Sequence, residues 1–454
     1  MDRKVLLIGL DCAPPELIFD RWRDTLPNIK KLIDGGTYGK LKSTMPPITC
    51  PAWMSMMTGK SPGSLGCYGF RSRHNYSYRD ISIATSKAIK DETVWDILGK
   101  EGKKSIIIGV PQTYPPKPIN GTLITGFLTP NAEAEYTYPR ELKCEIEKLV
   151  GEYIFDVRKF RTDDKEYVLR EVYEMTDKRI KVIKYLLKNK PWDFFMWVEI
   201  GLDRVHHAFW KFMDPTHKKY EKGSKHENVI RDYYIYLDKK IGEILSLVPD
   251  NTTILVASDH GAKSMDGCIC INEWLMKEGY LILKEYPKKI TRFDKLEIDW
   301  QHTRVWGWGG YYARIFLNLR GRDPYGIVSQ KEYEHLRDEL KTKISKIVDN
   351  TEVYRPEELY DRVRGNPPDL MVFFGDLRYR SVASMGYNSI YTPENDTGPD
   401  DAMHSLNGIF IMYDPGNKMH NKIEKLNIVD VAPTILNLFE IKIPKDIDGH
   451  PIES

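Results

Sequence analysis

The chain has 454 residues, long enough for one large domain carrying a smaller one, and its 67 Lys and Arg against 65 Asp and Glu leave a formal charge of +2. No field of one sign surrounds a chain so balanced, which argues against a stable nucleic-acid complex or an anionic membrane surface and for a small-molecule partner. Six cysteines without zinc-hairpin spacing, an opening apolar run of six residues and no stretch near the roughly 20 apolar residues of a membrane span predict a cytoplasmic chain with reduced thiols and no membrane association.

The first predicted element is an apolar run at 4–10, of buried-strand type, with Asp11 directly after it. Next comes Pro46-Pro47-Ile48-Thr49-Cys50-Pro51-Ala52-Trp53, which places Thr49 just ahead of a short helix with Pro51 in its first turn. A hydroxyl there faces free helix amides that also suit a phosphate, although a plain N-cap would use the same residue. After a strand-like run at 104–110, the stretch 111–190 opens Pro-rich and turns into charged helical sequence, read as an insertion on the core.

The run at 194–200 leads into Leu202-Asp203-Arg204-Val205-His206-His207. On a helix, Asp203 and His207 stand four residues apart on one face and can serve one metal; His206, three residues away, stays open as the alternative. The run at 252–257 ends in Ser258-Asp259-His260-Gly261, so a carboxylate and an imidazole leave a strand together at its C-terminal end, where open α/β sheets bind ligands. This is the strongest local signal.

From 266 to 359 the alternation breaks. A strand is expected within 311–319, and Ser329 with Glu332 forms a capping box for a helix whose apolar positions are Tyr333, Leu336, Leu340, Ile344 and Ile347. Ahead of these, Trp306-Gly307-Trp308-Gly309-Gly310-Tyr311 combines aromatics with glycines, and Trp306, Trp308 and Tyr311 could wall a base or aryl group, as could ordinary core packing use them. Lys263, just past Asp259-His260-Gly261, could reach a phosphate or remain solvated. Strand-like runs return at 369–374 and 408–412, and His404 precedes the second of these after a Gly/Pro/Asp-rich loop at 395–401.

Strand-like runs separated by helical patterns predict an α/β fold with a mainly parallel sheet between helices. The expected organisation is a catalytic core over 1–265 that includes the 111–190 insertion, a smaller cap over 266–359, and a return to the core over 360–454.

Taken together and in this order, the motifs resemble those of the alkaline phosphatase superfamily, and within it the type I phosphodiesterase and nucleotide pyrophosphatase branch. The resemblance implies an alkaline-phosphatase-like core and two divalent metal ions, with zinc expected and manganese, cobalt or iron compatible with the same donors. It implies that Asp11, Thr49, Asp259 and His260 hold one ion and Asp203, His207 and His404 the other. It further implies that Thr49 is the nucleophile of a phosphoester or nucleotide hydrolysis, forming a phospho-threonine-type intermediate that water then cleaves.

Two departures stand out. The family commonly carries a phosphate-binding Asn shortly after the nucleophile, where this chain has Ala52. Sulfatases use Cys or Ser in Cys/Ser-x-Pro-x-Arg, whereas here Thr49 and Trp53 occupy the matching ends, Cys50 is one residue out of place, and Thr cannot become formylglycine. A phosphomonoesterase or phosphomutase on the same two-metal site is the alternative enzyme, and a non-catalytic metal-dependent binding protein is the alternative outside catalysis.

Overall fold

Val5–Leu10, Phe194–Glu199 and Thr253–Ala257 are buried at every position, which suits strands covered on both faces rather than an amphipathic edge. The computed structural model describes residues 3–73, 75–416 and 421–452, and in it these three strands lie side by side and parallel. They form the middle of a nine-stranded sheet. Its order is Leu426–Asn427, Thr37–Lys42, Asn407–Tyr413, Thr253–Ala257, Val5–Leu10, Phe194–Glu199, Ser105–Ile108, Gly121–Ile124 and Thr137–Tyr138. Five pairings are parallel and three antiparallel, so the sheet is mixed with a parallel centre.

Alternate side chains enter two separate cores. Leu6, Ile8, Phe195, Trp197, Ile254 and Val256 pack under the helices Lys165–Asn189, Gly201–Met213 and Val229–Leu245. Val5, Leu7, Phe194, Met196 and Leu255 face the opposite side, beneath the helices Thr49–Thr58 and Val431–Leu438. This is the expected α/β layering. Among the described residues no helix is long and apolar enough to cross a membrane.

The strand register positions the site. Gly9 pairs with both Val198 and Ala257, so the three central strands end at one level and their following residues meet above the sheet. Gly9 is required there because a Cβ would lie 2.6 Å from the Trp53 ring and 2.9 Å from the Trp197 carbonyl.

A second sheet, in the order Val305–Trp308, Ala313–Leu317, Leu370–Phe373 and Glu352–Tyr354, has its own core with the helix Gln330–Ile344. The capping box forms as read: Ser329 N and Oγ both donate to Glu332 Oε2. The helix stops at Ile344, one step short of Ile347.

Two elements fall elsewhere than their sequence suggested. Leu370–Phe373, expected among the core strands, joins this second sheet, so the sheet extends past residue 359; a short apolar run carries no mark of which sheet it enters. Within 111–190, Gly121–Ile124 and Thr137–Tyr138 extend the edge of the main sheet, so the stretch is partly built into the core.

Candidate active site

Asp11 and Asp259 emerge from neighbouring strands and their turns are tied together. Cys12 N donates to Asp259 Oδ1 at 3.1 Å, and Ala13 N donates to Ser258 Oγ at 2.8 Å. Cys12 adopts φ 65°, a left-handed conformation uncommon outside glycine, at the residue that makes this link. Trp53 Nε1 donates to Asp11 Oδ2 at 2.7 Å. Each carboxylate therefore spends one oxygen on the scaffold, and Asp11 Oδ1 and Asp259 Oδ2 remain buried without a hydrogen-bond partner.

Thr49 is the first residue of the helix Thr49–Thr58, and Ile48 takes the N-cap position, so the hydroxyl is not used as a cap. Its Oγ1 lies 3.3 Å from His260 Nε2. That nitrogen is 3.0 Å from Asp259 Oδ2 and 4.0 Å from Asp11 Oδ1. All four sequence-predicted residues of the first set meet around it.

The second set meets around His207 Nε2, which is 3.3 Å from Asp203 Oδ1 and 3.3 Å from His404 Nε2. His404 Nε2 is in turn 3.5 Å from Asp203 Oδ1. Within the helix Gly201–Met213 it is His207 that faces Asp203 and His404, while His206 turns away into a buried niche beside Trp210 and Tyr234, with neither ring nitrogen hydrogen-bonded. His404 lies on a short strand, Ala402–Ser405, rather than in a loop. The strand pairs antiparallel with Gly261–Ser264, which sets His404 opposite Ala262 and stacks its ring on His260 at 3.7 Å. The two halves are thereby joined.

The donor chemistry fits divalent cations. Each of the three imidazoles hydrogen-bonds an oxygen through Nδ1: His260 to the Gly261 carbonyl at 3.2 Å, His404 to the Pro47 carbonyl at 2.8 Å, and His207 to Asp400 Oδ1 at 2.6 Å. Since those partners only accept, Nδ1 carries a proton in each ring, which leaves Nε2 as the nitrogen that a cation would engage. Arg204 binds Asp203 Oδ2 and leaves Oδ1 free, as with the other two carboxylates. Three imidazole Nε2 atoms and three carboxylate oxygens without hydrogen bonds thus face one another in a buried space, a donor set suited to cations. Asp203, His207 and His404, and likewise Asp11, Asp203 and His260, are close enough together to hold an ion. Cys12, His260 and His404 satisfy the same spacing.

The halves differ electrostatically. Burial, with Asp259 and Asp203 nearby, holds the Asp11 carboxyl well above its usual range, and burial raises Asp259 as well. In the other half burial also opposes ionisation of Asp203, but His207 and Arg204 overcome it and hold the carboxyl well below its usual range. Burial would depress His207, yet Asp400, Tyr311 and Asp203 push it up to about 10.

Of the expected substrate contacts, only Tyr311 reaches the centre. Its hydroxyl lies 3.2 Å from His207 Nε2 and its ring stacks on His404 at 3.8 Å. Trp306 is fully buried between Phe316 and Phe293, and Trp308 packs in the same cluster. Lys263 Nζ donates to the backbone and side chain of Asp376 at 2.8 and 2.9 Å. Ala52 is buried in the core beneath the sheet and offers no donor.

Residues that sequence reading missed are Asp400, Arg161 and Arg380. Arg161 Nε and Arg380 NH1 both donate to Asp400 Oδ2, at 2.7 and 3.1 Å. Nothing local in the sequence marks them, apart from the acidic pair Asp400-Asp401 close to His404.

The family model for type I phosphodiesterase / nucleotide pyrophosphatase matches residues 5–400. No curated protein matches the sequence significantly. Solved structures of similar fold include human ectonucleotide pyrophosphatase/phosphodiesterase 5, 14% identical with a TM-score of 0.57, and its murine counterpart, 15% identical with a TM-score of 0.55. An inactive Thr-to-Ala variant of the murine protein in complex with AMP is 14% identical, with a TM-score of 0.55. In all three, 97% of this chain and 96% of the other are covered.

Proposed function

The chain belongs to the type I phosphodiesterase/nucleotide pyrophosphatase family, and on that premise we propose that it hydrolyses a phosphodiester or phosphoanhydride bond through Thr49, with a divalent cation in each half of the site. The observation that carries the reading is the facing of three free carboxylate oxygens and three imidazole Nε2 atoms beside a threonine hydroxyl that caps nothing. Asp11, Thr49, Asp259 and His260 would hold one ion, and Asp203, His207 and His404 the other; zinc suits this nitrogen and oxygen set. When bound, such ions lower the energy of a threonine alkoxide and of the charge developing on the leaving oxygen.

The protein's own groups supply the rest. Thr49 Oγ1 forms the new bond to phosphorus while the bond to the leaving group breaks, and water later cleaves the threonine ester. The Thr49 and Cys50 amides, ahead of Pro51 in the helix Thr49–Thr58, have no intrahelical acceptor and would bind phosphate oxygens, a role the buried Ala52 side chain cannot take. Burial of the whole cluster keeps water from competing for these contacts.

Charge favours a diester over a monoester. Arg161, Arg204 and Arg380 all converge on the second half, but they are engaged by Asp400, by Asp156 with Asp203, and by Asp400 again. Three arginines facing three carboxylates leave no surplus side-chain charge, beyond the two ions, for the second negative charge of a phosphate monoester. A nucleotide is the favoured substrate class, as the murine relative of similar fold was solved with AMP.

The test is a panel under identical zinc conditions: a bis-aryl phosphate, an aryl phosphate, a nucleoside triphosphate and an aryl sulfate. The expected order of kcat/KM places a diester or nucleotide above the aryl monoester and the sulfate last. A monoester cleaved faster than every diester would replace this reading with a phosphatase.

A further inference from the structure

The hydrogen bonds around His207 extend beyond the seven ligand candidates to a carboxylate with no counterpart in the other half. Asp400 is fully buried, and its Oδ1 lies 2.6 Å from His207 Nδ1. His404 and His260 are held at the same ring position by backbone carbonyls, at 2.8 and 3.2 Å. A neutral carbonyl therefore suffices to orient an imidazole in this site, and a buried carboxylate used for the same purpose does something more.

Nor is the Asp400 side chain needed to fasten its loop to the helix. Asp401 N already donates to the His207 carbonyl at 2.9 Å. What the side chain adds is negative charge against the far side of one imidazole. That charge is itself held by Arg161, from the segment before the helix Lys165–Asn189, and by Arg380, from the strand Tyr379–Val382. The same arginines place Tyr311: Arg161 NH2 lies 3.3 Å from its hydroxyl, and Arg380 lies over its ring at 4.2 Å.

We propose that Asp400 is a positioning residue for the ion held by Asp203, His207 and His404: it fixes His207 with Nε2 toward Asp203 and His404 and, by its charge, makes that nitrogen a stronger metal ligand. Arg161 and Arg380 hold Asp400 in place. The affinity of this half thus depends on Asp400 and its two arginines, whereas the His260 ring of the other half is held by the Gly261 carbonyl. The inference rests on reading His207 as a ligand, and its test separates the two.

Zinc binding to the metal-stripped chain, measured in competition with a chromophoric chelator, is compared for the unsubstituted protein, Asp400→Asn and Arg161→Gln. The unsubstituted chain is expected to bind two ions. Asp400→Asn should retain one with unchanged affinity and bind the other about 10- to 100-fold more weakly, the usual effect of losing such an outer partner. Arg161→Gln should weaken the same ion severalfold and leave the other alone. Two wild-type affinities in Asp400→Asn, or equal weakening of both ions, would overturn the proposal. If Asp400→Asn does not fold, Arg161→Gln decides, since an unchanged second affinity there overturns it as well. Fewer than two ions in the unsubstituted chain would overturn the two-ion reading itself, and the inference with it.

Discussion

Asp11, Asp259 and His260 leave the ends of two adjacent parallel strands, and their fixed contacts come from those strand ends and the helix Thr49–Thr58: the Cys12 amide, the Gly261 carbonyl and the Trp53 indole. Asp203, His207 and His404 come from a helix and a short outer strand, and their contacts are Arg204 on Asp203, Asp400 and Tyr311 on His207, and the Pro47 carbonyl on His404. In the first half burial, joined by neighbouring carboxylates, raises Asp11 and Asp259; in the second His207 and Arg204 overcome burial and hold Asp203 low. One half is set mainly by strand register, and the other by a helix, a short outer strand and a polar network around Asp400.

The largest expected effect falls where the halves share one reaction. Thr49→Ala should lower turnover at least about 10³-fold, as loss of a nucleophile does, while metal content and melting temperature stay near the parent values. Mass spectrometry of acid-quenched enzyme should find the substrate's phosphoryl group on the Thr49 peptide. Near-normal turnover in Thr49→Ala would mean that water attacks phosphorus directly.

A smaller and more selective effect separates the neighbours on the helix. His207→Ala should cost about 10²-fold in kcat/KM and lose one ion, because it removes a lone pair aimed at Asp203 and His404. His206→Ala should keep both ions and most activity and change mainly thermal stability, since that ring is buried without hydrogen bonds. The reverse pattern would exchange the two roles and undo the account of the second half.

The smallest effect is expected at Lys263, which the structure spends on Asp376. Lys263→Ala should leave kcat/KM within about twofold, the range of surface substitutions away from buried features. A tenfold fall would bring a lysine into phosphate binding and weaken the charge argument for a diester.

The comparison also explains how much of the site could be read from sequence. Asp259 and His260 are adjacent and follow an apolar run, and Asp203 and His207 are one helical turn apart, so local rules find them. Asp11 and Thr49 have weaker local signals and gained weight from the order of the motifs. His404 is legible as a lone histidine ahead of a strand, but its pairing with His260 depends on an antiparallel register between Gly261–Ser264 and Ala402–Ser405 that no local pattern encodes. Asp400 and its arginines lie 239 and 20 positions apart in the chain, and an aspartate in a Gly/Pro/Asp-rich loop looks solvated until folding buries it. Trp306 shows an ambiguity that only the fold resolves. An aromatic in a short Gly-rich run has the same composition whether it walls a ligand or fills a core, and here it fills the core of the second sheet.

The central claim, that two differently built halves each hold one divalent ion around Thr49, is tested most directly by anomalous diffraction at the zinc edge from crystals of the zinc-loaded protein. The account predicts two peaks, one contacting Asp11, Thr49, Asp259 and His260 and the other contacting Asp203, His207 and His404. A single peak, or ions bound away from these residues, would contradict it.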